Sequence, residues 1–114
     1  MIGFGFTGRF RLKKTDEFSS VFNFRKRIFG PGLLVYYKPN AIGHARLGLV
    51  VAKKITRSAV QRNYMKRILR ELFRQQQLGL GGLDIVVRPQ KTFSRCEFLE
   101  IKAEFQGALD HLRK

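Results

Sequence analysis

Apolar positions along the chain alternate between helical and strand periods, and the changes of period mark out its elements. Phe18, Val21 and Phe22 stand at i, i+3 and i+4 behind Thr15, Asp16 and Glu17. This predicts a helix capped by Thr15 and running to about Asn23, with two acids against the positive end of its dipole. Beyond Gly30, Pro31 and Gly32, the β-rich run 33–38 predicts a strand that Pro39 and Asn40 end, and residues 46–52 predict another. The short connection 41–45 predicts that these two pair antiparallel. A shorter strand is expected around Ile28 and Phe29. Met65, Ile68, Leu69, Leu72 and Phe73 then form one stripe of a long helix opened by Ser58, whose spacing to Gln61 is that of a capping box. Gly79, Gly81 and Gly82 close that unit, and residues 83–88 predict a strand before Pro89. Ser94 and Glu97 repeat the capping-box spacing ahead of a last helix with Phe98, Ile101, Phe105, Ala108, Leu109 and Leu112 inward. The order helix, strands, helix, strand, helix is that of a small α+β sandwich in one domain, residues 11–114. Residues 1–10 alternate Gly with Phe and are expected to be a flexible N-terminal segment.

Charge changes this picture from a fold to a partner. The 114 residues are 44% hydrophobic, enough for a core, yet they hold 23 Lys and Arg against 8 Asp and Glu, a net charge of +15. Such an excess on a folded domain points to a polyanion, nucleic acid first. Much of it lies in one stretch: Lys53, Lys54, Arg57, Arg62, Lys66, Arg67, Arg70 and Arg74 face Glu71 as the sole acid of residues 53–74. Arg62, Lys66, Arg70 and Arg74 recur every fourth residue and draw a cationic line on the predicted helix. Like charges at that spacing repel, so bound phosphates would stabilise the helix. No apolar run approaches the roughly 20 residues of a membrane span, and no signal peptide is evident, so a cytoplasmic protein without a membrane partner is expected. The single cysteine, Cys96, excludes an internal disulfide and is expected to pack inertly.

Catalytic chemistry is hard to find. His44 and His111 have no neighbouring Ser, Cys or Asp pattern of a triad. Glu97, Glu100 and Glu104 share a helix face that could hold a divalent ion, but a solvated face balancing Lys102 and Arg95 is the preferred reading. The aromatics say more. Phe18 and Phe22 lie one turn apart, Tyr36 sits on a strand able to pack beside them, and rings amid cations suit single-stranded RNA.

Arg11-Leu12-Lys13-Lys14, Phe18 and Phe22, the run from Gly48 to Lys54, Ala59, and Arg62-Asn63-Tyr64-Met65-Lys66-Arg67 together resemble the bacterial ribonuclease P protein family, over about residues 9–110. The motif there commonly reads Arg-Asn-Arg, and Tyr64 replaces its second arginine. The resemblance implies an accessory subunit of a ribonucleoprotein whose RNA removes the 5′ leader of precursor tRNA with Mg²⁺, with no protein partner required. It implies a left-handed β-α-β crossover carrying the motif helix. By position, it assigns Arg57, Arg62, Asn63, Lys66, Arg67 and Arg70 to the catalytic RNA. Phe18, Phe22, Tyr36, Lys53, Lys54 and Arg88 are assigned to the leader. The alternative is a structural RNA-binding protein of the ribosomal type. A DNA-binding module ranks lower, because a single helix between strands is not helix-turn-helix order.

Overall fold

The computed structural model describes residues 11–77 and 79–113. The leader expected at residues 1–10 lies outside them. Three helices, α1 (Thr15–Phe24), α2 (Ala59–Gln76) and α3 (Phe98–Leu112), flank a sheet of β1 (Arg27–Phe29), β2 (Leu33–Pro39), β3 (Arg46–Leu49) and β4 (Leu83–Pro89) among the described residues, with a 3-10 turn, Arg95–Glu97, leading into α3. The expected α+β class and element order are borne out.

The pairing of the strands departs from expectation. Their order is β1-β2-β4-β3, so β4 lies between the two strands expected to be neighbours. β2 runs antiparallel to β4 and β3 parallel to it, which makes β3-α2-β4 a parallel crossover. The connection from Asn40 to Ala45 therefore steps over the start of β4 instead of making a hairpin. Asp84 fixes that step: its carboxylate accepts from Asn40 Nδ2 at 2.7 Å on one side and from Arg46 Nε and Nη2 at 2.9 and 2.8 Å on the other. The third strand also stops at Leu49, short of Ala52, although Val50 N still donates to Val87 O at 3.1 Å.

Alternation along the strands sorts residues to two cores. Leu33 and Val35 of β2, Leu47 of β3, and Ile85 and Val87 of β4 pack with Met65, Leu69, Leu72 and Phe73 of α2 and with Ile101, Phe105 and Leu109 of α3. The other face carries a smaller core of Leu12, Val21, Tyr36 and Val86 under α1, with Phe18 and Phe22 beside it. Burial of the large α2 stripe leaves its polar positions facing outward and sets the direction of the cationic residues.

The helix ends differ in detail from the sequence reading. Lys14, not Thr15, is the N-cap residue of α1, and Glu17 supplies the cap by accepting from Lys13 N at 2.7 Å and Lys14 N at 3.0 Å. α1 ends on Arg25 in the left-handed region at φ 66°. At α2, Ser58 Oγ accepts from Gln61 N at 3.1 Å as expected, but Gln61 turns its amide away to Phe93 O at 2.6 Å, so only half of the box forms. The second box is complete: Glu97 Oε1 accepts from Ser94 N and Oγ at 2.7 and 2.8 Å. Glu104 is not a solvated residue. It reaches across to the β1–β2 turn and accepts from Gly32 N at 3.1 Å and Leu33 N at 2.6 Å. Gly30 leaves room for that carboxylate, since a Cβ there would lie 2.1 Å from Glu104 Oε2. Cys96 is exposed, contrary to the packed site expected of it.

Candidate nucleic-acid interface

α1 builds one wall of an aromatic and basic cleft on the sheet. Its Phe22 meets Tyr36 edge to face, with centroids 4.7 Å apart and planes at 84°. Phe18 lies over Gly48, whose missing side chain makes the space: a Cβ there would sit 2.4 Å from Phe18 Cε1. Arg46 ties the helix down by donating to Glu17 Oε2 at 3.0 Å while holding Asp84, and Lys38 Nζ donates to Ser20 Oγ. Hydrogen bonds from the Lys14 and Lys13 amides, with Arg46 beside them, hold the Glu17 carboxyl below its ordinary value.

The row Leu34–Arg88 lies on the same sheet face as the Tyr36–Val86 row, and β1 extends it by pairing Phe29 with Leu34 and Arg27 with Tyr36. Phe18, Phe22 and Arg88 are half-buried, and Lys53 and Lys54 are exposed just past the end of β3. Tyr36 is 9% exposed, so it serves as floor under Phe22 and offers little ring surface of its own. One exposed ring on this face was not singled out by the sequence reading. Phe29 is 66% exposed with the Arg27 guanidinium 4.8 Å from its centroid. Strand alternation through Ile28 was the signal that could have found it, because it places Phe29 and Arg27 on the α1 face.

The cationic helix divides into two flanks. Lys66 and Arg70 turn toward edge strand β3, where they line a cavity of about 90 Å³ together with Arg11, Phe18 and Gly48. Burial pushes the Arg70 pKa down, and the charge of Arg11 pushes it further. Asn63, Tyr64 and Arg67 turn instead toward the start of the 3-10 turn, with the Arg67 guanidinium 5.8 Å from the Tyr64 centroid. Arg62 is partly committed to structure, since its Nη1 donates to Thr56 O and Arg57 O, both at 3.2 Å. Arg57 is exposed. The fourth-residue line ends early: Arg74 Nε donates to Glu71 Oε1 at 3.0 Å, which neutralises Arg74 and lowers the Glu71 pKa. The aromatic cleft and the cationic flank of α2 thus meet at β3, because Phe18 borders the same cavity as Lys66 and Arg70.

Carboxylates among the described residues do not assemble into a metal site. Among the described residues no three His, Cys, Asp or Glu side chains converge, and Glu97 and Glu104 are each engaged with backbone amides. The donor set does not fit Mg²⁺. No helix among them is long and apolar enough to cross a membrane.

A small α+β domain with a cationic helix beside an aromatic cleft, and with no acid–base cluster among the described residues, is built as a nucleic-acid-binding protein. The family model described as Ribonuclease P matches residues 6–113. A ribonuclease P protein component of Chromobacterium violaceum is 47% identical over 98% of this chain and 89% of that relative. One from Azoarcus sp. is 53% identical over 73% of this chain and 69% of its own length. Among solved structures, the Staphylococcus aureus RNase P protein superposes with a TM-score of 0.69 at 29% identity, covering 90% of this chain and 91% of that one. The Thermotoga maritima RNase P protein gives 0.67 at 30% identity, with 91% and 94% covered. The chain therefore belongs to the ribonuclease P protein family, the protein component of a tRNA-processing endoribonuclease.

Proposed function

We propose that this chain seats itself on the catalytic RNA of ribonuclease P through Arg57, Arg62, Asn63, Lys66, Arg67 and Arg70. In the same reading, it holds the single-stranded 5′ leader of precursor tRNA in the cleft of Phe18, Phe22, Tyr36, Lys53, Lys54 and Arg88. The observation that carries this is the shared cavity at β3, where Phe18 of the cleft wall meets Lys66 and Arg70 of the helix. A cationic seam between two RNA-binding surfaces lets one small domain screen the repulsion between two RNAs lying side by side. Half-buried rings on α1 give an extended strand apolar faces, and the lysines after β3 take its phosphates. Substrate affinity rises because the leader adds its own contacts. Hydrolysis, with its Mg²⁺, belongs to the RNA in this proposal, since no group of His, Cys, Asp and Glu able to cage a metal ion forms among the described residues.

Precursor tRNA incubated at low Mg²⁺ with the protein alone, with a bacterial ribonuclease P RNA alone, and with both tests the reading directly. Cleavage only, or far faster, in the mixture is expected. Equal rates with and without the protein would overturn it.

A further inference from the structure

One cavity on the described surface plays no part in the cleft. It lies between the first turns of α2 and the segment entering α3, has a volume of about 560 Å³, and is bordered by Val60, Asn63, Tyr64, Arg67, Ser94 and Arg95. Its two walls are locked together. Gln61 Nε2 donates to Phe93 O at 2.6 Å, and Tyr64 meets the fully buried Phe93 edge-on with centroids 6.4 Å apart. Thr92 Oγ1 adds a bond to Ile55 O at 2.8 Å just behind. The half-exposed Tyr64 ring is thereby held at the cavity wall by a rigid support, not left to swing in solvent.

The lining chemistry is selective. Both charged residues in it, Arg67 and Arg95, are exposed cations. The nearby acid Glu97 is occupied by Ser94 N and Oγ. Val60 is 81% exposed, an apolar side chain left in water at the mouth. An aromatic ring, an apolar rim, the Asn63 amide and two arginines form the set that accepts a planar, hydrogen-bonding group joined to phosphate. The volume lies in the range that encloses a small organic group.

We infer that this cavity takes one unpaired nucleobase of the catalytic RNA, stacked on Tyr64, with its flanking phosphates on Arg67 and Arg95. The inference rests on the reading of α2 as the RNA-facing helix and deepens it. It also gives Tyr64 a role that the arginine of the commoner motif would fill by charge. Stacking would add affinity without adding a phosphate contact, so its loss should leave the salt dependence unaltered.

The chain has no tryptophan, so Tyr64→Trp provides a single reporter. Its emission should be quenched when a bacterial ribonuclease P RNA transcript saturates the protein, and not by polyphosphate, which supplies charge without bases. In filter binding across a salt series, Tyr64→Leu should weaken the RNA about tenfold with an unchanged slope, as expected for one lost stack. Tyr64→Phe should bind like the wild type. Chemical probing should show at least one unpaired nucleotide protected by the wild type and exposed with Tyr64→Leu. Unquenched indole emission from the Tyr64→Trp protein in a complex that forms normally, or wild-type affinity in a folded Tyr64→Leu protein, would overturn the pocket while leaving the α2 reading intact. Failure of the wild type to bind the RNA would overturn both.

Discussion

Phe18 rests on Gly48 so closely that a Cβ at position 48 would fall 2.4 Å from Phe18 Cε1 and 2.7 Å from Cζ. Gly48 is at the centre of edge strand β3, where a glycine ordinarily weakens a strand, and here it makes room for the ring that walls the cleft. Gly48→Ala should push Phe18 outward and cost about 1–3 kcal/mol by overpacking. Thermal melting measures that cost. The functional consequence should be selective: affinity for precursor tRNA with a leader falls as it does in Phe18→Ala, while affinity for leaderless tRNA does not. Equal losses for both substrates would show that Phe18 does not contact the leader.

Arg46 fastens α1 to the sheet through carboxylates on both sides, and this makes the cleft wall sensitive to acid. Glu17 is held below its ordinary value of 4.5 by the Lys14 and Lys13 amides and by Arg46. A depressed carboxyl contributes stability above its unfolded-state pKa and loses it as pH falls through the folded value. Glu17→Gln keeps an oxygen to accept the two amides but loses the charge, and should therefore be less stable than the wild type by about 0.5–1 kcal/mol at neutral pH, the size of a helix-dipole and exposed ion-pair contribution. The gap should stay constant down to about pH 4.5 and close below it. Urea titrations at a series of pH values check this. A gap that closed between pH 8 and 6 would assign the effect to another group.

Glu104 performs a similar service for the β1–β2 turn. Its carboxylate receives the amides of Gly32 and Leu33, and Gly30 and Gly32 both lack the side chains that would crowd it. Glu104→Ala strands those two donors and should cost about 2–3 kcal/mol, the value of charge-assisted hydrogen bonds lost at a part-buried site. The turn precedes Leu33, the first residue of β2, so the loss should appear as faster amide exchange at Gly32 and Leu33 before the rest of the sheet. Unchanged exchange there would remove Glu104 from the fold's supports.

These supports show how far the sequence could be read. Helical and strand periods located the three helices and the longer strands, because burial of Met65, Leu69, Leu72 and Phe73 on one side of α2 leaves a pattern in the chain itself. Strand neighbours leave no such local trace. Nothing in residues 33–52 indicates that β4, more than thirty residues later, inserts between β2 and β3, and the short connection between those strands argued for a hairpin. The decisive group is Asp84, which gathers Asn40 and Arg46 from both ends of that connection, and three such residues become related only in space. The site divides along the same line. Fourth-residue spacing revealed Arg62, Lys66 and Arg70, whereas the split into a β3 flank and a Tyr64 flank depends on what each side chain meets. The burial of Tyr36 and exposure of Phe29 required the sheet's other face.

Arg70 offers the sharpest separation of stability from binding. Its guanidinium is half-buried beside Phe18 and Lys66, and both burial and the charge of Arg11 disfavour its protonated form. A cation kept in a setting that opposes its charge stabilises neither α2 nor the sheet, and it gains a partner when a phosphate arrives. Arg70→Met keeps the stem that covers the cavity and removes the charge. Free protein carrying this substitution should melt higher than the wild type, while its affinity for ribonuclease P RNA falls and the slope of log K against log salt decreases by about 1. Arg62→Ala should lose the same increment of slope but melt lower, because it also releases the carbonyls of Thr56 and Arg57 from its Nη1. Calorimetry of the free proteins beside filter binding at several salt concentrations distinguishes the two. Should Arg70→Met melt lower as well, Arg70 would be a structural residue of the helix, and the phosphate seam at β3 would have to be assigned to Lys66.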